Sequence, residues 1–595
     1  MRRPRLVLLA VLMAAAALAQ ETDVILRAMQ DEMERSRALK VMSPEMYYIE
    51  YALHDGESVS AVATLGALIG SRRTAFRMPR VQIRVGDYGF DDSNFVGSGY
   101  YSGTRYDVDE FPLDDSYPVL RQHLWLATDT AYKAASEAFS MKRAALRGLA
   151  VTEQVPDFGR TAALRLLSGT RPGWLDDAPW IARTRRLSAL FRDYPAVMAS
   201  SVSFDSGAGL LYLITSEGTR IRVREGSCVL RVRATAQAPD GMPLRDAAAH
   251  FASDPERLPP DAELERATRE VAVNLTALAA APVGEAYSGP VLFEGAAAGQ
   301  LLAQLLGNNL AVPRRPLTLP GRPLNFASSE LEAHLGARIL PEWIDVVDDP
   351  TQAEWRGRPL FGHYEVDLEG VAPQPVSVVE KGVLKNFLLT RQVVKGLGVS
   401  NGHARLLGSF GAKAAGIGNL FVRASGGISS SELKKKLIDL CRERNKPYGI
   451  LVRKLDFPSS ASLGELRRLL AGMAQSGARP VSVPILAYRV YADGREELVR
   501  GLRFRGLNPR ALKDIVAASD ETFVFDYYDH HAPLAVIGGG AFVSEASVIA
   551  PSLLIDDVEL ERDQQELPRP PLVPAPALTA LGPAGAPAPA SGGRN

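Results

Sequence analysis

Residues 288–310 read SGPVLFEGAAAGQLLAQLLGNNL. A short apolar run, Val291 to Phe293, leads into Glu294, and small or apolar residues follow at Ala297, Leu301, Leu302, Leu305 and Leu306. That spacing puts one oily stripe on a helix, so the stretch predicts strand, turn and buried helix. A strand that feeds a buried helix places both element types in one core, and the rest of the chain is read outward from it.

Downstream, residues 338–389 read RILPEWIDVVDDPTQAEWRGRPLFGHYEVDLEGVAPQPVSVVEKGVLKNFLL and run on into TRQVVKGLGVSNGHAR. This layout resembles the C-terminal half of the TldD/PmbA proteins, also called TldD/TldE, peptidase U62 or modulators of DNA gyrase. In the catalytic TldD branch the helix equivalent to 293–298 carries HExxxH, two histidines and a glutamate around zinc. Here those positions are Phe293, Glu294, Gly295, Ala296, Ala297 and Ala298. The glutamate is present and both histidines are missing. Two imidazole nitrogens on one helical face are what hold zinc in such a motif, and a glutamate alone is a base with no metal to act beside. TldD-type enzymes also place a cysteine in a Gly-rich segment near the chain end, whereas 532–561 has Gly538 to Gly540 and no cysteine. The chain is thus similar to the PmbA (TldE) branch, whose members lack the ligands and pair with a TldD chain that carries them.

The candidate site residues follow from these stretches. Glu294 is a remnant of the general base or a residue placed for the helix dipole. His363 in GHYEVDLEG and His403 in SNGHAR read as structural or cavity-lining histidines, and in the alternative reading they join Glu294 as metal ligands. Asp367, Glu369 and Gly370 match the family's acidic turn and shape a tight loop. His530 and His531 follow Asp526, Tyr527, Tyr528 and Asp529, but neighbours on a strand point to opposite faces and cannot readily share one ion. The Gly538–Gly540 triplet reads as a turn between strands.

Residues 1–19 carry a basic cap (Arg2, Arg3, Arg5), an apolar core from Leu6 to Leu18 and the small residues Ala17 and Ala19, the pattern of a cleaved secretory signal. The apolar run is shorter than the roughly 20 residues that span a bilayer. The expected location is periplasmic or secreted, with no membrane attachment after cleavage. Lys plus Arg and Asp plus Glu balance at 68 each in 595 residues, so the overall charge steers the chain neither to nucleic acid nor to an acidic membrane. Cys228 and Cys441 fall in different predicted domains and read as two buried free thiols.

The fold class expected is α+β: an N-terminal and central region over 20–280, then a largely antiparallel, TldD/PmbA-like β domain over 281–562. In the first, helices are predicted at 22–39, 115–148, 183–197 and 262–280. MYYIEYALHD, ESVSAVATLGALIGSRR and AFRMPRVQIRVGDYGFDD form one meander with HDGE as its first turn, and SVSFDS, GLLYLITSEG and TRIRVREGSCVLRVRATAQA form a second. In the second, Glu432 to Arg444 is an amphipathic helix, GILVRKLD a strand, and Asp493-Gly494 the turn of a hairpin. Residues 563–595 are expected to form a disordered tail: from Pro568 on they are rich in Pro, Ala and Gly with almost no charge and cannot bury enough to order themselves.

The resemblance implies a non-zinc, TldE-like subunit of a peptide-degrading complex, with no cofactor in this chain and zinc in a TldD-like partner. The partner is such a subunit or a second copy, the substrate an unfolded peptide, and neither nucleic acid nor membrane is expected. Two alternatives stand beside it: a metallopeptidase active by itself through unrecognised ligands, and a peptide-binding homodimer without chemistry. The export reading predicts that the mature chain begins at Gln20, after Ala17-Leu18-Ala19; N-terminal sequencing of the exported protein checks it, and Met1 on the mature species would overturn it.

Overall fold

The computed structural model describes residues 23–38, 45–96, 111–147, 155–318, 328–407, 412–457, 481–529 and 543–562. The leader, the Pro/Ala-rich tail, His530, His531 and Gly538–Gly540 lie outside the described residues.

The N-terminal half is built on long strands. β1 (Met46–Thr64) and β2 (Ala67–Val85) form an antiparallel hairpin whose turn residues Leu65 and Gly66 both take positive φ, 47° and 82°, the backbone that a tight two-residue turn requires. HDGE is therefore not a turn but the middle of β1. Asp55 is buried against the guanidinium of Arg77 at 2.9 Å, and Gly56 lies opposite Gly209, where a Cβ would come within 2.6 Å of the Ala208 carbonyl. The glycine answers a close strand approach rather than a reversal of the chain.

The same holds for the second predicted meander, in which SVSFDS and GLLYLITSEG are one strand, β5 (Ala199–Thr215), paired to β6 (Arg220–Gln237). Two short strands intervene in the chain, β3 (Phe95–Val96) and β4 (Arg165–Leu167), and β7 (Pro243–Ala252) follows β6. The sheet order is β2-β1-β5-β6, with β4 and β7 both on the free side of β6. β7 escaped the sequence reading because its centre, DAAAH, has almost none of the β-branched residues that announce a strand.

Four helices cover one face of this sheet. α1 (Val24–Ala38) and α2 (Tyr117–Leu146) pack on Ile49, Tyr51, Leu53, Val81 and Ile83. α3 (Ala178–Ala189) and α4 (Asp261–Ala280) pack on Val202, Phe204, Leu230 and Val232. α3 starts earlier than predicted and gives way to a 3₁₀ turn at Leu190–Asp193. Cys228 and Cys441 are free and buried, in separate cores.

Among the described residues the C-terminal half forms an eleven-stranded, mainly antiparallel sheet around the strand Ser544–Arg562. β8 (Tyr287–Phe293) lies beside it, antiparallel to 544–562 and parallel to Tyr448–Leu455. The predicted hairpin at Asp493-Gly494 joins Pro484–Tyr491 to Glu496–Val499. α5 (Ala296–Leu305) is buried on nearly every side among Leu340, Val346, Ile417 and Val548, as a helix without a polar face must be. At Gly299 a Cβ would lie 2.7 Å from the Cβ of Phe525, so only glycine admits that strand so close. α6 (Ser430–Glu443) opens on a capping box between Ser429 and Glu432. Among the described residues no helix is long and apolar enough to cross a membrane.

The halves meet on the second face of the N-terminal sheet, where Ala52, Leu213, Ile221 and Val223 pack with Val366. On the first face Leu486, Ile485 and Leu498 join the core under α4, and charged groups add to the seam. Arg391, 1% exposed, makes two 2.7 Å bonds to Glu217. Lys413 donates to both oxygens of Glu50 at 2.7 Å, Lys454 pairs with Asp246 at 2.7 Å, and Arg500 pairs with Asp240 at 2.9 Å. Short strands add a backbone seam where β3 pairs with β9 (Leu317–Thr318).

Burial by itself would raise the Glu50 carboxyl, but Lys413 and Arg80 outweigh it and hold the group down to about 2 from the ordinary 4.5. Between those values the unfolded chain binds more protons than the folded one, so this contribution is complete above 4.5 and is lost as the pH falls through about 2. Glu50→Gln should cost about 3–5 kcal/mol at neutral pH by leaving Lys413 without its counter-charge. In urea titrations the gap from wild type should narrow as the pH is lowered through that window; a gap independent of pH would assign Glu50 a packing role instead.

Candidate functional site

The strand–turn–helix at β8 and α5 holds the first candidate. Phe293 closes β8, fully buried in the main core, and its register partners are Val452 and Leu553. The next residue leaves the strand, with the Glu294 N–H still donating to the Val452 carbonyl at 2.9 Å. Gly295 makes the turn at φ 56°, its N–H donating to Ser552 Oγ at 3.0 Å, and the helix begins at Ala296. Residues 293–295 are therefore strand and turn, not helix as expected from the resemblance. Phe293 belongs to the strand and Ala298 to the helix that starts after the Gly295 turn, so 293 and 298 do not share one helix.

Glu294 reaches solvent and meets a cation. Arg453 Nε donates to its Oε2 at 2.6 Å and also binds Glu496 at 2.8 and 3.2 Å, while Lys434 binds Glu496 at 2.7 Å. The guanidinium stacks over Tyr488 at 4.8 Å. Burial opposes the charge on Arg453, yet Glu294 and Glu496 more than offset it and raise its pKa. Burial likewise opposes the charge on Glu496, and Lys434 with Arg453 outweighs it and lowers the pKa. The result is a chain of alternating charge, Lys434–Glu496–Arg453–Glu294, in which the Glu294 carboxylate is engaged as an ion-pair partner. Reading GILVRKLD as a strand left open what Arg453 would face; the signal was its place in a buried strand, where a lone arginine needs a carboxylate.

The two histidines sit elsewhere. His403 is fully buried, with Nε2 3.2 Å from Asp348 Oδ1 and Nδ1 3.0 Å from the Asn401 carbonyl. Both ring nitrogens are thus used to pin the Asn401–Ala404 loop against Asp348, which also accepts from the Gly418 N–H. His363 is exposed, Nδ1 2.8 Å from the Pro350 carbonyl. Asp367 accepts from the backbone N–H groups of Glu369, Val371 and Ala404, and Gly370 takes φ 76°, which makes the acidic turn a tight loop.

A zinc site needs three or four protein ligands. The β8–α5 turn offers one carboxylate, and that carboxylate is held by Arg453; these residues do not fit the ion. Among the described residues no three His, Cys, Asp or Glu side chains are grouped so as to hold a metal, and Glu294, His363 and His403 are not brought together.

With this geometry in view, residues 286–562 match the PmbA/TldA metallopeptidase C-terminal domain. The chain's C-terminal half is a PmbA/TldD-family domain. Two archaeal metalloproteases are similar to stretches of the chain, at 38% identity over 78 residues (Archaeoglobus fulgidus) and 28% over 212 residues (Methanothermobacter thermautotrophicus). A metalloprotease PmbA homologue of Haemophilus influenzae is 36% identical over 87 residues. The matches span 13%, 35% and 14% of this chain and 17%, 43% and 18% of those relatives, less than half of each. Among solved structures, a candidate modulator of a DNA gyrase from Thermotoga maritima superposes with TM-score 0.56 at 16% identity, over 89% of this chain and 100% of that one. TldE from Thermococcus kodakarensis superposes with TM-score 0.53 at 12% identity, over 90% and 100%. At such identities the superpositions establish the fold, which is the α+β arrangement of TldD/PmbA proteins.

Glu294→Gln should cost only about 0.2–1 kcal/mol, since a partly exposed ion pair is worth little and Arg453 keeps Glu496. Urea denaturation measures it, and a loss well above that range would mean that Glu294 does more than pair with Arg453.

Proposed function

We propose that this chain is a TldE-like, non-zinc subunit of an exported peptide-degrading complex. The observation that carries the reading is the donor set at the β8–α5 turn: one carboxylate, already ion-paired, where catalytic relatives of the family carry HExxxH. The likeness in fold to TldE from Thermococcus kodakarensis supports it, and so does the family domain over 286–562. The export signal read in residues 1–19 supports the periplasmic or secreted setting.

In this reading the chain contributes walls of a chamber and contacts to an unfolded peptide, and a TldD-like partner contributes the metal. No step of the hydrolysis runs through Glu294. A general base works only beside the water it activates, and in the proposed complex that water belongs to the partner.

Purified alone, the protein should contain far less than one zinc per molecule and leave unstructured peptides uncut. Mixed with a cognate HExxxH-bearing chain, it should support cleavage that a chelator abolishes, and Glu294→Gln should leave that joint activity nearly intact. Elemental analysis and a peptide-cleavage assay check both. Stoichiometric zinc, or activity of the isolated chain that Glu294→Gln removes, would overturn the partner reading.

A further inference from the structure

The second face of the N-terminal sheet is only partly used by the seam. Past His54 and Leu211 the strands run on, and this part of the face is floored by small residues. Ser58 pairs with Gly207, Ser60 with Asp205 and Val62 with Ser203, and on β6 Gly207 pairs with Ser227. The opposite face of the same strands is buried under α3 and α4, but Ser58, Ser60, Ser201 and Ser203 remain partly exposed.

Two arginines rise from this floor. Arg231 lies between Ser203 and Ala249, and Arg233 between Ser201 and Ala247, so short side chains flank both guanidinium groups. Arg231 binds Asp205 at 3.1 Å. Arg233 is exposed and makes no ion pair among the described residues. The strip therefore carries a positive charge that the sheet does not neutralise. One end is closed by aromatic rings from both halves: Phe251 lies 5.4 Å from Phe361 and 5.2 Å from Tyr528, and Arg231 approaches the Tyr528 ring at 5.9 Å.

We propose that this strip is a docking site for an extended peptide segment with acidic side chains at alternate positions. Residues two apart on a strand project about 6.6 Å apart, the repeat of every second side chain in an extended peptide. A carboxylate at that repeat would meet Arg233 directly, and one two residues along would compete with Asp205 for Arg231; guanidinium–carboxylate pairing is strong and directional. Small floor residues let a second backbone approach closely, while the Phe251–Phe361–Tyr528 corner takes an apolar side chain at the segment's end. The inference rests on the reading of the chain as a peptide-handling subunit and adds the class of peptide.

The test is fluorescence anisotropy on the purified full chain, with dye-labelled synthetic peptides that carry Glu, Gln or Lys at alternate positions. The Glu peptide should bind best, more weakly as salt rises. Arg233→Ala should weaken it about tenfold, the scale of one lost charge-assisted bond, and Arg233→Glu should reverse the preference towards the Lys peptide, with circular dichroism confirming that both variants fold. Equal binding of the three peptides, or a Glu-peptide affinity that neither variant changes, would overturn the acidic-peptide site while leaving peptide handling intact. Binding of none of them would overturn both.

Discussion

Charge burial between the two halves is the constraint on which this architecture depends. A buried cation is tolerated only opposite a carboxylate and with its donors satisfied, and in this chain the required partners come from opposite ends of the sequence. Glu50 belongs to the first long strand and its partner Lys413 to a short C-terminal one; Glu217 follows β5, while Arg391 follows β9 and the acidic turn. The buried cations Lys413 and Arg391 take their carboxylates from the other half, while Glu50 also holds Arg80 and the Tyr48 hydroxyl of its own half. Arg391 also donates from its side chain to the Gly159 carbonyl and lies 4.0 Å over the Phe158 ring, and its backbone N–H donates to Glu369 at 2.6 Å, so one residue joins a loop, the end of β5 and the acidic turn. The long sheet and the eleven-stranded sheet are therefore one folding problem, coupled through pairs whose loss costs more than their formation gains.

Much of this was legible where periodicity speaks and illegible where pairing does. The strand–turn–helix at 287–305 followed from an apolar run and a helical stripe, and the helices α1, α2, α4 and α6 from their spacing. The hairpin at Asp493-Gly494 was announced by its turn dipeptide. By contrast, HDGE resembles a turn locally, and only the cross-strand neighbours Arg77 and Gly209 explain why it stays extended. β7 was missed because alanines pack against a covered strand without advertising it. No local pattern reports that a glycine is wanted for its missing side chain rather than for its φ.

The candidate site divides along the same line. Loss of the histidine pair could be read directly, since it is a matter of identity at named positions. That Glu294 is engaged by Arg453 could not, because the arginine lies far along the chain and meets it only through the parallel pairing of β8 with 448–455. His403 is buried against Asp348, which sits in a strand that carried no mark of it. The absence of histidine at 293 and 298 was thus easier to see than the ion pair that holds Glu294.

The β1–β2 ribbon has a mechanical consequence. Its tip is tied down where the Gly66 N–H donates to Ser188 Oγ and Arg192 donates to the Leu65 carbonyl, and its base is tied down where Glu50 meets Lys413. Midway, Gly56 faces Gly209 on β5, and the ribbon is at its thinnest there. A side chain at either glycine would meet the facing strand's backbone within 2.6 Å, so a ribbon held at tip and base has no room for bulk at its middle, and this crossing sets how closely β1 can lie on β5.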